Sequence, residues 1–209
     1  MTPLSRRAFV TAASASLLVG CAGPAAHRAS TARAASTPAP PPAPAPASAS
    51  AKKVRALGRS APVRLRIPAI GVDTPLIRLG LEPDGTVQVP PVTAHDRAGW
   101  YRHSPTPGQV GPSVILGHVT VGAYGDGVFR HLARLHRGDR IVARLENGTA
   151  AEFTVGAVRT VAKADFPADE VYGDVGRPEL RVITCGGPHT GDGYLDNVIV
   201  FAALSSTNP

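Results

Sequence analysis

From Pro62 onward the chain alternates apolar and polar residues in short stretches broken by turn residues; before Pro62 there is no such pattern. Val63-Arg64-Leu65-Arg66-Ile67 has period two and stops at Pro68, as a strand with one face on a core does. Gly71 to Ile77 predicts a second strand, and the turn signal Pro83-Asp84-Gly85 leads into a third at Val87-Gln88-Val89. Ser113 to Leu116 is a short apolar run of the kind seen in buried strands. Arg140 to Leu145 and Ala151 to Val155 flank Glu146-Asn147-Gly148 and predict a hairpin. Glu179 to Thr184 and Asn197 to Ala202 predict two more strands, and Val128 to Leu135 is the candidate for a short helix. Seven or eight strands with one or two short helices make an all-β domain, either a closed barrel or a sandwich, and pattern alone does not choose between them.

Composition adds a second region. Residues 1–61 are dominated by Ala, Pro, Ser and Thr and offer nothing from which to build a core, so residues 62–209 are expected to form one domain. Within the first region, Arg6-Arg7 precede an apolar run from Ala8 to Gly20. That run is shorter than the ~20 residues a membrane-spanning helix needs, and it fits the core of a signal peptide. With Phe9 two positions after the arginine pair, it resembles a twin-arginine export signal. Leu18-Val19-Gly20-Cys21 resembles a lipobox, so residues 1–21 are expected to be the leader and Cys21 the point of lipid attachment. Residues 22–61 then form a disordered linker, whose Pro- and Ala-rich centre at residues 38–46 favours an extended chain of about 3 Å per residue. The expected location is the extracytoplasmic face of the membrane, with the lipid as anchor.

Charge changes the picture once more. The chain carries +7, but residues 1–61 hold eight basic residues and no acid, which leaves −1 for the domain. A basic tail on a near-neutral domain suits a membrane-skirting linker. It argues against nucleic acid as a partner, because a nucleic-acid groove puts the excess on the folded face.

The candidate chemistry lies in the domain. With Cys21 in the leader, Cys185 has no disulfide partner, and a single leftover thiol is either reactive or buried and inert. It ends an apolar strand and precedes Gly186-Gly187-Pro188, where the glycines would leave the backbone open to a substrate. Gly117-His118 follows Val114-Ile115-Leu116 in the same manner. A thiol of pKa about 8.5 needs a base or cation beside it to act as a nucleophile at neutral pH, and two strand ends can meet at one rim of a sheet. Taken alone, a Cys in an apolar strand is more often core packing, and a His beside Gly can be a turn residue. His95, His103 and His189 lie in loops, and His131 and His136 in the helical segment. No Cys/His spacing suggests a zinc site and no Gly-rich phosphate loop is present, so neither metal nor cofactor is implied.

From about Val63 to Leu204 the chain resembles the sortase family, in particular its class F branch. The resemblance is carried by Leu65-Arg66-Ile67-Pro68-Ala69-Ile70-Gly71-Val72, by Gly111 to Val119 with its Gly-His-Val, by Gly138-Asp139 and Val171-Tyr172-Gly173, and by Leu180 to Gly187 with its Ile-Thr-Cys-Gly-Gly. It implies an eight-stranded closed β-barrel with the active site in a groove at its rim. It implies a cysteine transpeptidase that binds a Leu-Pro-x-Thr-Gly-type sorting signal, with Cys185 attacking the Thr carbonyl and His118 protonating the departing amine. The implied partners are proteins bearing a C-terminal sorting signal and an amine of a peptidoglycan precursor. One departure stands out: the family carries an Arg near the start of its last strand, where this chain has Gly193-Tyr194-Leu195-Asp196-Asn197, and no Arg or Lys follows Gly186. Arg130 and Arg102 are candidates to supply the missing donor, with Asn197 and backbone N–H groups as the alternative. Two other readings use the same residues: a hydrolase releasing surface proteins, and a catalytically silent binding module. An L,D-transpeptidase is disfavoured because its Ser-His-Gly-Cys-x-Arg motif is absent.

Overall fold

The computed structural model describes residues 54–191 and 193–208. The leader, Cys21 and most of the linker lie outside the described residues. The described residues form one compact unit.

Eight strands close into a barrel: β1 (Pro62–Ile67), β2 (Val72–Leu79), β3 (Ala98–Tyr101), β4 (Gly111–Leu116), β5 (Arg140–Leu145), β6 (Ala150–Ala162), β7 (Pro178–Thr190) and β8 (Gly193–Asn208). Their order around the barrel is β1-β2-β3-β4-β7-β8-β6-β5. The β2–β3 and β4–β7 pairs are parallel, and the remaining pairs antiparallel. Between barrel and sandwich, the barrel is the answer, and closure leaves no free sheet edge.

The interior is filled by alternate side chains. Leu65 and Ile67 of β1, Ile141 and Ala143 of β5, Phe153 of β6, Leu180 and Val182 of β7, and Val198 and Val200 of β8 belong to one buried cluster. β7 is buried on both faces from Glu179 to Thr184, which is why it reads as a continuous rather than an alternating apolar run. Its outward residue Ile183 packs with Val114, Ile199 and Val171 in a second cluster. Val171 comes from the one α-helix among the described residues, α1 (Ala168–Tyr172), which follows Pro167 and carries Asp169 and Glu170 in its first turn.

Two local expectations are corrected, and one strand is new. The segment from Val128 to Leu135 is not an α-helix but a series of tight turns around a 3-10 turn at Leu132–Arg134. Phe129, Leu132 and Leu135 are buried at a spacing of three, and Leu132 and Leu135 donate backbone bonds three residues back. That is the 3-10 period, not the α period. Val87 to Val89 supplies only an isolated bridge from Val87 to Leu81 instead of a strand. The true third strand is Ala98–Tyr101, where Trp100 enters the core and Gly99 admits Leu79 so closely that a Cβ would overlap it.

Candidate functional site

The parallel pairing of β4 with β7 sets the geometry. It runs in register from Gly111 beside Pro178 to Leu116 beside Ile183. The Gly117 N–H then donates to Ile183 O at 3.1 Å, which carries the ladder one residue further, to Gly117 beside Thr184. Continued one residue past that bond, the register would set His118 opposite Cys185, at the ~5 Å spacing of neighbouring strands. Alternation also gives them the same face. Ile115, Leu180 and Val182 point into the barrel, whereas Val114 and Ile183 pack on the outer cluster. His118 and Cys185 continue the outer set. The two candidates that the sequence placed at strand ends therefore follow neighbouring parallel strands that finish at the same rim of the barrel, although His118 is not among the residues that line the Cys185 cleft.

Cys185 is a free, partly exposed thiol, paired across β7–β8 with Asn197. It lines a cleft of about 300 Å³ together with Arg130, Thr184, Gly186, Tyr194 and Val198. The two glycines after it serve packing as well as access. A Cβ on Gly187, whose φ is +71°, would run into the Asp196 carboxylate, and one on Gly186 would come within 2.6 Å of Val198. β7 continues beyond them through a bulge to Thr190 and turns back into β8, where His189 stands edge-on to Tyr194 with ring centres 4.7 Å apart.

His118 is half-buried, and its Nε2 lies 2.6 Å from Pro90 O in the loop between β2 and β3. A carbonyl only accepts, so Nε2 carries the proton and Nδ1 is the nitrogen left free. The backbone at His118 is equally constrained. Its carbonyl accepts the Phe129 N–H at 3.0 Å, the Val119 carbonyl accepts that of Gly127 at 3.0 Å, and Gly117 lies so close to Phe129 that a Cβ would meet the ring at 2.5 Å.

That stitching delivers a cation to the site. Arg130 follows Phe129 and, among the described residues, is the only charged one lining the Cys185 cleft. Its Nε pairs with Asp126 at 3.1 Å, and 45% of its side chain is exposed. Of the two arginines the sequence offered in place of a β8 arginine, the structure brings Arg130 to Cys185 and leaves Arg102 in a different cleft. Asn197 also stands beside Cys185, as its partner across the strands. The Pro90 carbonyl and the Phe129 backbone are the components that sequence reasoning missed, because both reach His118 through main-chain groups that residue types do not advertise. Among the described residues no group of His, Cys, Asp and Glu is placed to hold a metal ion, and no helix is long and apolar enough to cross a membrane.

A search among curated proteins finds no match to the sequence. Solved structures do match the fold. Sortase C-1 from Actinomyces oris is 21% identical with a TM-score of 0.54, over 68% of this chain and 72% of its own. A lid mutant of sortase A from Corynebacterium diphtheriae is 19% identical with a TM-score of 0.56, over 73% and 74%. Sortase A from Listeria monocytogenes is 17% identical with a TM-score of 0.54, over 71% and 90%. At these identities the likeness is one of fold, but the sortase-domain family model itself matches residues 65–205, most of the chain. The chain therefore belongs to the sortase family of cysteine transpeptidases.

Proposed function

We propose that this sortase is exported and lipid-anchored through Cys21, that residues 62–209 are its catalytic domain on a linker, and that it works at the outer face of the membrane as a class F-like enzyme. It cleaves a Leu-Pro-x-Thr-Gly-type signal near the C-terminus of client proteins and transfers them to an amine of a cell-wall precursor. The Cys185 sulfur attacks the Thr carbonyl as its thiol proton passes to His118, the Thr–Gly C–N bond breaks, and His118 hands that proton to the departing amine. The acceptor amine then attacks the thioester, His118 takes a proton from it, and the C–S bond breaks as His118 returns that proton to the sulfur and restores the thiol. With Nε2–H held by Pro90 O, Nδ1 is the nitrogen that exchanges the proton. Arg130 faces the negative charge that develops on the carbonyl oxygen, the work of an oxyanion donor.

One observation supports this reading above the others: the parallel β4–β7 register, which ends both strands at one rim just before His118 and Cys185. The test incubates residues 50–209 with a Leu-Pro-x-Thr-Gly peptide, with and without a glycine peptide as acceptor, and follows adducts and products by mass spectrometry. A thioester on the wild type and a Thr–amine product, both lost in Cys185→Ala and the product lost in His118→Ala, are expected. Cleavage to the free acid with acceptor present would make it a releasing hydrolase. No adduct across a panel of sorting signals would leave a silent binding module.

A further inference from the structure

A second cleft, of about 510 Å³, lies away from Cys185 and is lined by Arg59, Arg78, Trp100, Arg102, His103 and Glu146. Three guanidinium groups converge there against one carboxylate, and that carboxylate is taken: Arg78 pairs with Glu146 at 2.7 Å. Neither Arg59 nor Arg102 forms an ion pair among the described residues. The Arg59 guanidinium lies 6.0 Å from the centre of the Trp100 ring, and Arg102 Nε lies 3.4 Å from His103 Nε2. Two unneutralised guanidinium groups beside a third, in a domain that is otherwise near-neutral, make a local field suited to an anion. Planar forks with several N–H donors fit a phosphate's oxygens better than they fit a lone halide.

Position in the fold indicates where the phosphate comes from. Arg102 and His103 follow β3, in the turn that feeds the start of β4, whereas His118 lies beyond the end of β4. β3 runs antiparallel to β4, so the cleft opens toward the pole where β4 begins; its Trp100 pairs with Ile115, three residues or about 10 Å along the strand before His118, which lies toward the other pole. Residues 54–61 cross this same pole. Leu57 N–H donates to Gly108 O at 2.8 Å, and Ser60 N–H to Thr106 Oγ1 at 3.3 Å. The chain that leads to the leader thus departs beside the cleft, and its last residues before the barrel include Lys52, Lys53 and Arg55.

We infer that this pole is a phosphate-binding site for anionic lipid headgroups, which seats the barrel on the membrane with Cys185 and His118 directed away from it. Phosphate recognition stands on the cleft alone; the choice of a lipid as its source rests on the tethered reading given above. A nucleic acid is the poorer occupant, because the basic groups form one cleft and not a stripe along a face.

Trp100 is the only tryptophan of the chain, so its fluorescence reports this cleft in the full-length protein. Titration with glycerol phosphate should change the emission saturably, and Arg59→Gln and Arg102→Gln should each abolish or weaken the change. Co-sedimentation of residues 50–209, which lack the leader, then compares phosphatidylcholine vesicles with an equimolar phosphatidylcholine–phosphatidylglycerol mixture. Binding only to the mixture is expected, with a loss of about fivefold for each arginine removed, the factor equivalent to about 1 kcal/mol per basic group at an anionic membrane. Arg134→Gln, which removes the same charge from an exposed site away from this cleft, should change binding less than twofold, the threshold for a local effect. An equal loss in Arg134→Gln would overturn the site in favour of net charge. A Trp100 response to glycerol phosphate without vesicle binding would overturn the lipid assignment, and a silent Trp100 would overturn phosphate recognition. None of these readouts depends on peptide cleavage, so failure of the transpeptidase reading would be seen separately.

Discussion

Arg181 offers the sharpest test of the physical account of the fold. It points outward from β7 yet only 4% of its side chain is exposed, because α1 and Phe201 cover it. Its Nη2 lies 2.6 Å from Glu179 Oε2, its Nε donates to Glu170 O at 3.1 Å, and the guanidinium sits 4.7 Å from the Phe201 ring centre. Arg181→Met keeps much of the apolar stem but strands the Glu179 carboxylate, of which 9% is exposed, and removes the donor to the α1 carbonyl. Breaking one side of a buried pair costs about 3–5 kcal/mol. Glu179 keeps Arg177 at 2.5 Å, an arginine 74% exposed and correspondingly weak as a partner. That places the loss near the lower end of the range, at about 3 kcal/mol. For a domain of this size it corresponds to a fall in Tm of about 6–12 °C. Urea unfolding of residues 50–209 at neutral pH measures it as a lower midpoint at unchanged m. The partner experiment is Arg181→Met with Glu179→Leu, which removes the stranded charge and should recover most of the loss. A single-variant cost below about 1 kcal/mol, or a double variant no better than the single, would refute the claim that this pair is buried and coupled.

Three further outcomes follow from the same structure. Gly117→Ala must displace the Phe129 ring, so a cost of about 1–3 kcal/mol in urea unfolding is expected, with lower kcat because Phe129 is bonded to the His118 carbonyl; unchanged stability would mean that Phe129 relaxes freely. Burial alone would raise the Glu179 carboxyl, but the bonds from Arg181 and Arg177 outweigh it and hold it below the usual range. With the folded value below the unfolded one, this stabilisation is complete above about pH 4.3 and is lost as the pH falls through the folded value. Glu179→Gln should therefore flatten the acid limb of the stability curve, and an unaltered limb would contradict the assignment. Arg130→Ala should lower kcat by about a hundred- to a thousandfold with little change in KM, as expected for a lost oxyanion donor. Arg134→Ala is the control, and an equal effect in both would return the oxyanion to Asn197 or backbone donors.

What the sequence disclosed follows from how local each cause is. Strands β1 and β5 are written in their alternation, since Arg64 and Arg66 face solvent while Leu65 and Ile67 face the core. β3 was illegible because four residues with a glycine inside carry no period, and its strand character comes from the parallel pairing with β2. Phe129, Leu132 and Leu135 announce their own period of three, which reads as helix only if the difference between 3.0 and 3.6 residues per turn is overlooked. The site was legible as two residue types at two strand ends, and long-range pairing alone could say that the ends meet. Arg102 and Arg130 show the limit most clearly, because they flank His118 at comparable distances along the chain and nothing local ranks one above the other. Strand direction separates them. β3 runs antiparallel to β4, so the chain that follows β3 heads toward the start of β4, whereas the segment that follows β4 folds back on His118 and lies where β4 ends. The chain's path therefore sends one arginine to the thiol and the other to the pole from which residues 54–61 depart, and no property of either side chain could have made that choice.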